Sequence, residues 1–362
     1  MSELLKATID LRHRLHEIPE PSNCEVHTKA CLMSFIQEHI ANNPQYEMVD
    51  CGQWFYVVYK SLDKKKDPIA FRADFDAVTK DAGHVEHLCG HDGHSATLAG
   101  FLSLVNGHKI DRDVYFLFQN AEESGEGGKR IAPLLEEKHV SEVYAYHNIP
   151  GYDVGTILIK PKTFALASTG LRITFEGHVS HAAYPELGVN PAFAIGKLLN
   201  HLEAFNNKEK DYIEFATVVG VNLGNDSFGV SAGEGHLSVT IRSEIEDNLD
   251  NLVLEMKELS EQLAHQYGLK YQFELVEPFP MTYNHPEAIE KIIACANANH
   301  LKYELLDGPF RWSEDFGHYT KVTKGAMVGI GDGKESTFLH TDTYFFNDEL
   351  IIRAWLLFAS LL

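Results

Sequence analysis

The 362-residue chain is expected to fold as an α/β domain, a largely parallel sheet with helices on both faces, interrupted by an inserted α+β domain. Three observations predict this. Short apolar runs rich in β-branched and aromatic residues alternate with helical patterns on both flanks of the chain. Polar, chemistry-bearing clusters follow directly on those runs, as they do at the carboxyl edge of an open α/β sheet. The middle of the chain changes to the period-two alternation of strands with one buried face.

Taken in order, Leu4, Leu5, Ile9 and Leu15 fall at helical spacing, and Pro19 and Pro21 end that first helix. A second helix is expected over residues 27–40. The buried-strand runs are WFYVVY (54–59), PIAFRA (68–73), VYFLFQ (114–119), VYAYH (143–147) and GAMVGIG (325–331), with helical patterns at 97–105 and 129–137. In the middle, LRITFEG (171–177), HLSVTIR (236–242) and KYQFELV (270–276) alternate, separated by helical stretches at 191–204 and 249–267. The domains are therefore drawn as 1–165 and 278–362 for the first, with 166–277 inserted into it. KSLDKKKDP (60–68) reads as a solvated charge run.

Bulk properties narrow the function. A formal charge of -21 with no basic stripe argues against a nucleic-acid partner. No apolar run reaches bilayer length, and the charged start lacks the apolar core of a signal peptide, so no membrane role is expected. The cysteines (24, 31, 51, 89 and 295) are odd in number and irregularly spaced, which points to a reducing cytoplasm rather than a disulfide framework.

The polar clusters are weighed singly first. HLCGHDGHSA (87–96), in the loop after the first strand cluster, reads as a metal site, a redox cysteine or a polar loop. Its Cys89 and His91 are good donors for zinc or manganese, but one C-x-H is unspecific. Asp74 and Asp76 share a strand face and suit metal contact, orientation of a ligand or loop capping. Glu122 and Glu123 are either a solvated pair or a division of labour in which one carboxylate holds a metal and its neighbour reaches a water. His147 and His340 each read equally well as buried structural histidines. SGEGGKR (124–130) lacks the spacing of a phosphate loop. His181, in a Gly/Ala-rich turn of the inserted domain, suits contact with a reacting carbonyl. Arg242 suits a substrate carboxylate or a surface salt bridge, and Arg311 with Trp312 precedes SEDF as a further substrate-selecting candidate.

RADFDAV, HLCGHDGHSA, FQNAEES, YHNIPG, GHVSHAAYPELGVNP, SEDFGHY and FLHTD occur in the order and approximate spacing of a known family. With the H-x-x-P-E start at His16 to Glu20, the chain resembles the metal-dependent amidohydrolases of the aminoacylase and glutamate-carboxypeptidase superfamily, in the branch of hippurate and auxin-conjugate hydrolases. The resemblance implies a three-layer αβα catalytic domain with an inserted ferredoxin-like lid, a domain that often mediates dimerisation. It implies two divalent metal ions (zinc or manganese, with nickel or cobalt as alternatives) on Cys89, His91, Glu123, His147 and His340. Glu122 would be the general base and His181 the oxyanion stabiliser, in its own subunit or a partner's. The expected reaction is hydrolysis of an N-acyl amino acid or similar small amide by an activated water. The alternatives are a dipeptidase, a carboxypeptidase, a diamino-acid deacetylase on the same centre, or a non-catalytic metal-bearing relative. The expected partners are a small acylated or dipeptide-like substrate and a second copy of the chain. Substrate-side positions depart from the family: Val78-Thr79 replace Leu-Pro, Gly229-Val230-Ser231-Ala232 replace Asn-Val-Ile-Pro, and Asn190 stands where aspartate is common.

Overall fold

The computed structural model describes residues 2–41, 43–80 and 83–362, which form two compact units. The first comprises Met1–Phe164, Thr282–Pro309 and Glu314–Leu362; the second comprises Ala165–Met281 and Phe310–Ser313.

Among the described residues, the first unit is built on an eight-stranded mixed sheet. The strand order is Tyr46–Asp50, Phe55–Tyr59, Val114–Gln119, Ile69–Asp74, Glu142–Pro150, Lys324–Gly333, Ile157–Ile159, Tyr303–Leu305. The four central strands run parallel, and antiparallel pairings flank them on either side. Central strands buried on both faces read as continuous apolar runs, which is why they were legible. On one face, Val114, Phe116, Phe118, Ile69 and Phe71 join a core with helices Ser2–His16, His91–Leu104 and Glu349–Leu361. On the other face Gln119 and Arg72 meet Asp315 and the helix Gly317–Val322 that follows it. The three-layer arrangement is thus the one expected.

Two local expectations are corrected. The stretch at His91 to Ala96 is the start of helix His91–Leu104, not a loop. Gly90, at φ +96°, supplies the left-handed turn into that helix, and a Cβ there would lie 2.6 Å from Asn148 Oδ1. The helical pattern at 129–137 is two short helices, Gly127–Ile131 and Pro133–Glu137, because Pro133 cannot continue the first.

The second unit carries a four-stranded antiparallel sheet in the order Glu214–Leu223, Glu234–Ser243, Ala167–Glu176, Lys270–Phe279, with helices Ala192–Asn206 and Glu246–Tyr267. The chain order strand-helix-strand-strand-helix-strand is the ferredoxin-like one. Leu171, Ile173 and Phe175 point into its core with Leu237, Val239 and Ile241, as alternation requires. Strand Glu214–Leu223 is an addition to the sequence reading: a register shift between Val218 and Gly220 breaks the alternation that would have revealed it.

Candidate functional site

Cys89, His91, Glu122, Glu123, His147 and His340 converge in the first unit. Glu122 and Glu123 lie just beyond strand Val114–Gln119, and His147 lies on strand Glu142–Pro150. His91 opens helix His91–Leu104. His340, at φ +62°, is fixed by its amide donating to the Leu88 carbonyl at 2.8 Å, beside Cys89.

The donor atoms overlap in groups. Among the described residues, Cys89/His91/His147, Cys89/Glu123/His340 and His91/Glu122/Glu123 each place three donors within 4.8 Å of one another. Cys89 Sγ is 3.5 Å from His147 Nε2. His91 Nε2 stands 3.8 Å from Glu122 Oε2 and 3.8 Å from Glu123 Oε1, and His340 Nε2 is 3.6 Å from Glu123 Oε1. His91 Nε2 and Glu123 Oε1 are buried without a hydrogen-bond partner. Groups so placed leave a polar centre unsatisfied, which a bound cation resolves.

The electrostatics agree. Burial works against a charge on His91, yet Asp74, Cys89 and Asp76 outweigh it and hold its pKa well above the ordinary value. The centre draws positive charge to itself. Burial pushes the Cys89 thiol up to about 12, against the pull of His91, so a thiolate there requires a cation beside it. Burial, and then His94, holds His147 well below the ordinary value, in the neutral form a metal ligand needs. Glu123 is raised to about 7 by burial, opposed by His91. Glu122 is raised well above the usual carboxylate range by burial, then by Glu314, Glu123 and Asp315. Soft thiolate, imidazoles and carboxylate together form a donor set that fits late first-row divalent ions.

Asp76 supports this centre from behind, while Asp74 stands at its edge, with Oδ2 3.8 Å from His91 Nε2 and a donor group of its own with His91 and His94. Asp76 Oδ1 is 3.2 Å from His91 Nδ1, and Asp76 Oδ2 accepts the Glu123 amide at 3.0 Å. Such a carboxylate fixes the ring and leaves Nε2 to the centre. Asp74 accepts from His94 Nδ1 at 2.7 Å and from Arg72 at 2.6 Å. Asp92 pairs with His16 Nδ1 at 2.9 Å rather than with the site.

Not singled out from the sequence were Arg72, Glu314, Asp315 and Gln119, the buried charge network behind Glu122. Arg72 donates to Asp74, Glu314, Asp315 and Gln119 at 2.6–3.0 Å, while the Asp315 amide reaches Glu122 Oε1 at 3.4 Å. The available signal was an arginine inside an otherwise apolar strand and a second adjacent acid pair in SEDF.

The remaining candidates lie in the second unit. His181 Nδ1 accepts the Ala183 amide at 3.0 Å, and its loop is braced by the Ala182 amide donating to the Gly229 carbonyl at 2.9 Å. Asn190 Oδ1 accepts the Ala192 amide at 2.9 Å, a helix-entry role. Arg242 donates to the Arg311 carbonyl at 3.2 Å and to Ser313 Oγ at 2.7 Å. Arg311 itself stacks over Phe215, 4.3 Å from the ring centroid.

The model of peptidase family M20/M25/M40 matches residues 70–362. The chain is similar to the N-acetyldiaminopimelate deacetylase of Exiguobacterium sibiricum, 26% identical over 366 residues, with 96% of each chain covered. It is 28% identical over 337 residues to the enzyme of the same name from Leuconostoc mesenteroides, covering 88% of this chain and 87% of that one. In fold it matches a Bacillus subtilis protein described as a dinuclear metal binding peptidase of the M20 family, with a TM-score of 0.82, 23% identity, and 99% and 97% of the two chains covered. None of these singles out the hippurate hydrolase branch. A family model spanning most of the chain, over a fold with donors gathered at its strand ends, makes this chain a member of peptidase family M20/M25/M40, the metal-dependent amidohydrolase class that its motifs resemble.

Proposed function

We propose that the chain hydrolyses the amide bond of a small N-acyl amino acid, with an N-acetylated diamino acid as the first substrate to test. The observation that carries it is the placement of Glu122 and Glu123, adjacent in sequence, each with a carboxylate oxygen 3.8 Å from His91 Nε2, an atom buried without a hydrogen-bond partner. The deacetylase relatives support the diamino-acid choice.

Cys89, His91, Glu123, His147 and His340 would hold two divalent ions, with zinc and manganese as first candidates and nickel or cobalt as alternatives. Bound there, the ions supply Lewis acidity toward a water and toward the scissile carbonyl. Glu122 takes the proton of the attacking water and later gives it to the leaving nitrogen, which is too basic to depart unprotonated. Its Oε1 is tied to the Asp315 amide, so Oε2 is the atom that faces the centre. A carboxyl raised well above the usual range by burial, and then by its acidic neighbours, is suited both to take and to return that proton. His181 is the proposed oxyanion donor, and Arg242, Asn190 and Arg311 the proposed substrate contacts, on the resemblance of their motifs.

The division 1–165, 166–277 and 278–362 belongs to the same reading, supported by the two-unit organisation. A homodimer through the inserted domain is supported by edge strand Glu214–Leu223, where Val219 is 61% exposed and Val221 48%. Light scattering giving a monomer at micromolar concentration would rule it out. A reducing compartment suits five unpaired cysteines, and no helix among the described residues is long and apolar enough to cross a membrane.

The test is a panel of N-acetyl diamino acids, N-acetyl and N-benzoyl amino acids and dipeptides, assayed with added manganese or zinc. Turnover of an acyl amino acid, abolished by chelation and restored by metal, is expected; a filled metal site with no amide turnover would favour the non-catalytic alternative. Cys89→Ser should weaken metal binding by about 10-fold or more, because a hydroxyl is a far poorer donor than a thiolate. Elemental analysis showing unchanged metal in that variant would remove Cys89 from the ligand set.

A further inference from the structure

The acid pair Glu122-Glu123 is carried by a strained turn. Ala121, fully buried, sits in the left-handed region at φ +53°. A residue with a side chain stays there only where its surroundings hold it. Its carbonyl accepts the amides of Glu126 and Gly127 at 3.2 and 3.0 Å. Its own amide donates to Glu25 Oε1 at 2.8 Å.

Glu25 comes from the turn before helix Val26–Ile40 and is only 4% exposed. The same two segments are stitched together around it. Asn23 donates to Glu126 Oε2 at 2.7 Å, and Arg130 donates to Asn23 Oδ1 at 3.0 Å and Asn120 Oδ1 at 3.1 Å. Burying this carboxyl is unfavourable in itself: burial, then the charge of Asp76, raises it to about 7. What it provides in return is an acceptor for the amide of Ala121, in its left-handed conformation.

We propose that Glu25 is a positioning residue: by accepting the Ala121 amide it holds the left-handed turn that aims Glu122 and Glu123 in their two directions. The inference rests on the proposed function, since it concerns the base and one ligand of that centre. Asp76 makes the complementary contact at the Glu123 amide, so each side of the pair is held by a buried carboxylate from another segment.

The test compares Glu25→Ala, Glu25→Gln, Ala121→Gly and the double variant E25A/A121G as full-length chains, reading kcat, KM and Mn2+ affinity by equilibrium dialysis. Glu25→Ala should lower kcat about 10- to 100-fold with KM changed far less, as expected for misplaced catalytic groups. Its Mn2+ affinity should fall about 10-fold, the usual effect of losing a support behind a ligand. Glu25→Gln should restore both, because the amide oxygen accepts the same bond. In the Ala121→Gly background Glu25→Ala should cost little, since glycine adopts a positive φ unaided. If Glu25→Ala does not fold, the double variant, freed of the strain, carries the comparison with Ala121→Gly.

Equal losses in Glu25→Ala and Glu25→Gln, no loss in Glu25→Ala, or an undiminished loss in the Ala121→Gly background would each overturn the proposal. An unaltered chain that turns over no amide would overturn the proposed function instead, and the dialysis arm would still judge Glu25.

Discussion

Glu122→Gln is expected to lower kcat by about 10²–10⁴-fold, the range that a positioned general base contributes, while metal content stays near that of the unaltered chain. Glutamine preserves the volume of the side chain and the acceptor toward the Asp315 amide, so the network behind it is retained. What it loses is the ability to take a proton from water. Glu123, the neighbouring carboxylate, is not expected to substitute, because its Oε1 stands near both His91 and His340, at 3.8 and 3.6 Å, as the proposed ligand, and its amide is held by Asp76. Full activity with normal metal content in Glu122→Gln would remove this residue as the base. Loss of metal together with activity would instead make it a ligand.

Arg72→Met should destabilise the fold by about 3–5 kcal/mol, the usual effect of removing one partner from a buried charge network. Arg72 is 3% exposed and donates to Asp74, Glu314 and Asp315, which are themselves buried. Burial favours the neutral form of Asp74, but Arg72, His91 and His94 outweigh it and hold its pKa well below 3.8. A depressed carboxyl contributes stability that is present above its unfolded pKa and is lost as pH falls through the folded one. Without Arg72 the opposing effect of burial on Asp74 and Asp315 gains weight and favours their neutral forms, so stability should fall as pH rises above about 4. Urea unfolding at pH 5 and pH 8 should show a deficit that is larger at pH 8. An equal deficit at both values would mean that Arg72 acts through packing alone.

Much of this was readable from local sequence. The strands that bear the site are buried on both faces and leave apolar runs, and the clusters after FRA, FLFQ and VYAY mark where each run meets the rim. Adjacent Glu122 and Glu123 are similarly legible, because neighbours in a chain point apart. Strand Glu214–Leu223 was not, since a register shift and partial exposure erase its period. The buried network was missed because its members are distant: Arg72 and Glu314 lie 242 residues apart, and nothing in either segment states that the other will arrive.

The sequence by itself determined the family and the two architectures, because side-chain periodicity and motif order are properties of short segments. Only the tertiary structure decided which histidines face the centre. In HLCGHDGHSA, Gly90 turns the chain into a helix that presents His91 to the acids, while His94 on the next turn binds Asp74 and His87 lies outside the donor groups. It likewise decided that Asp92 belongs to His16 and that Glu25 reaches Ala121. The physical reason is that burial, desolvation and hydrogen-bond satisfaction are set by whatever fills the space around a group. In a sheet assembled from distant segments, those neighbours come from elsewhere in the chain.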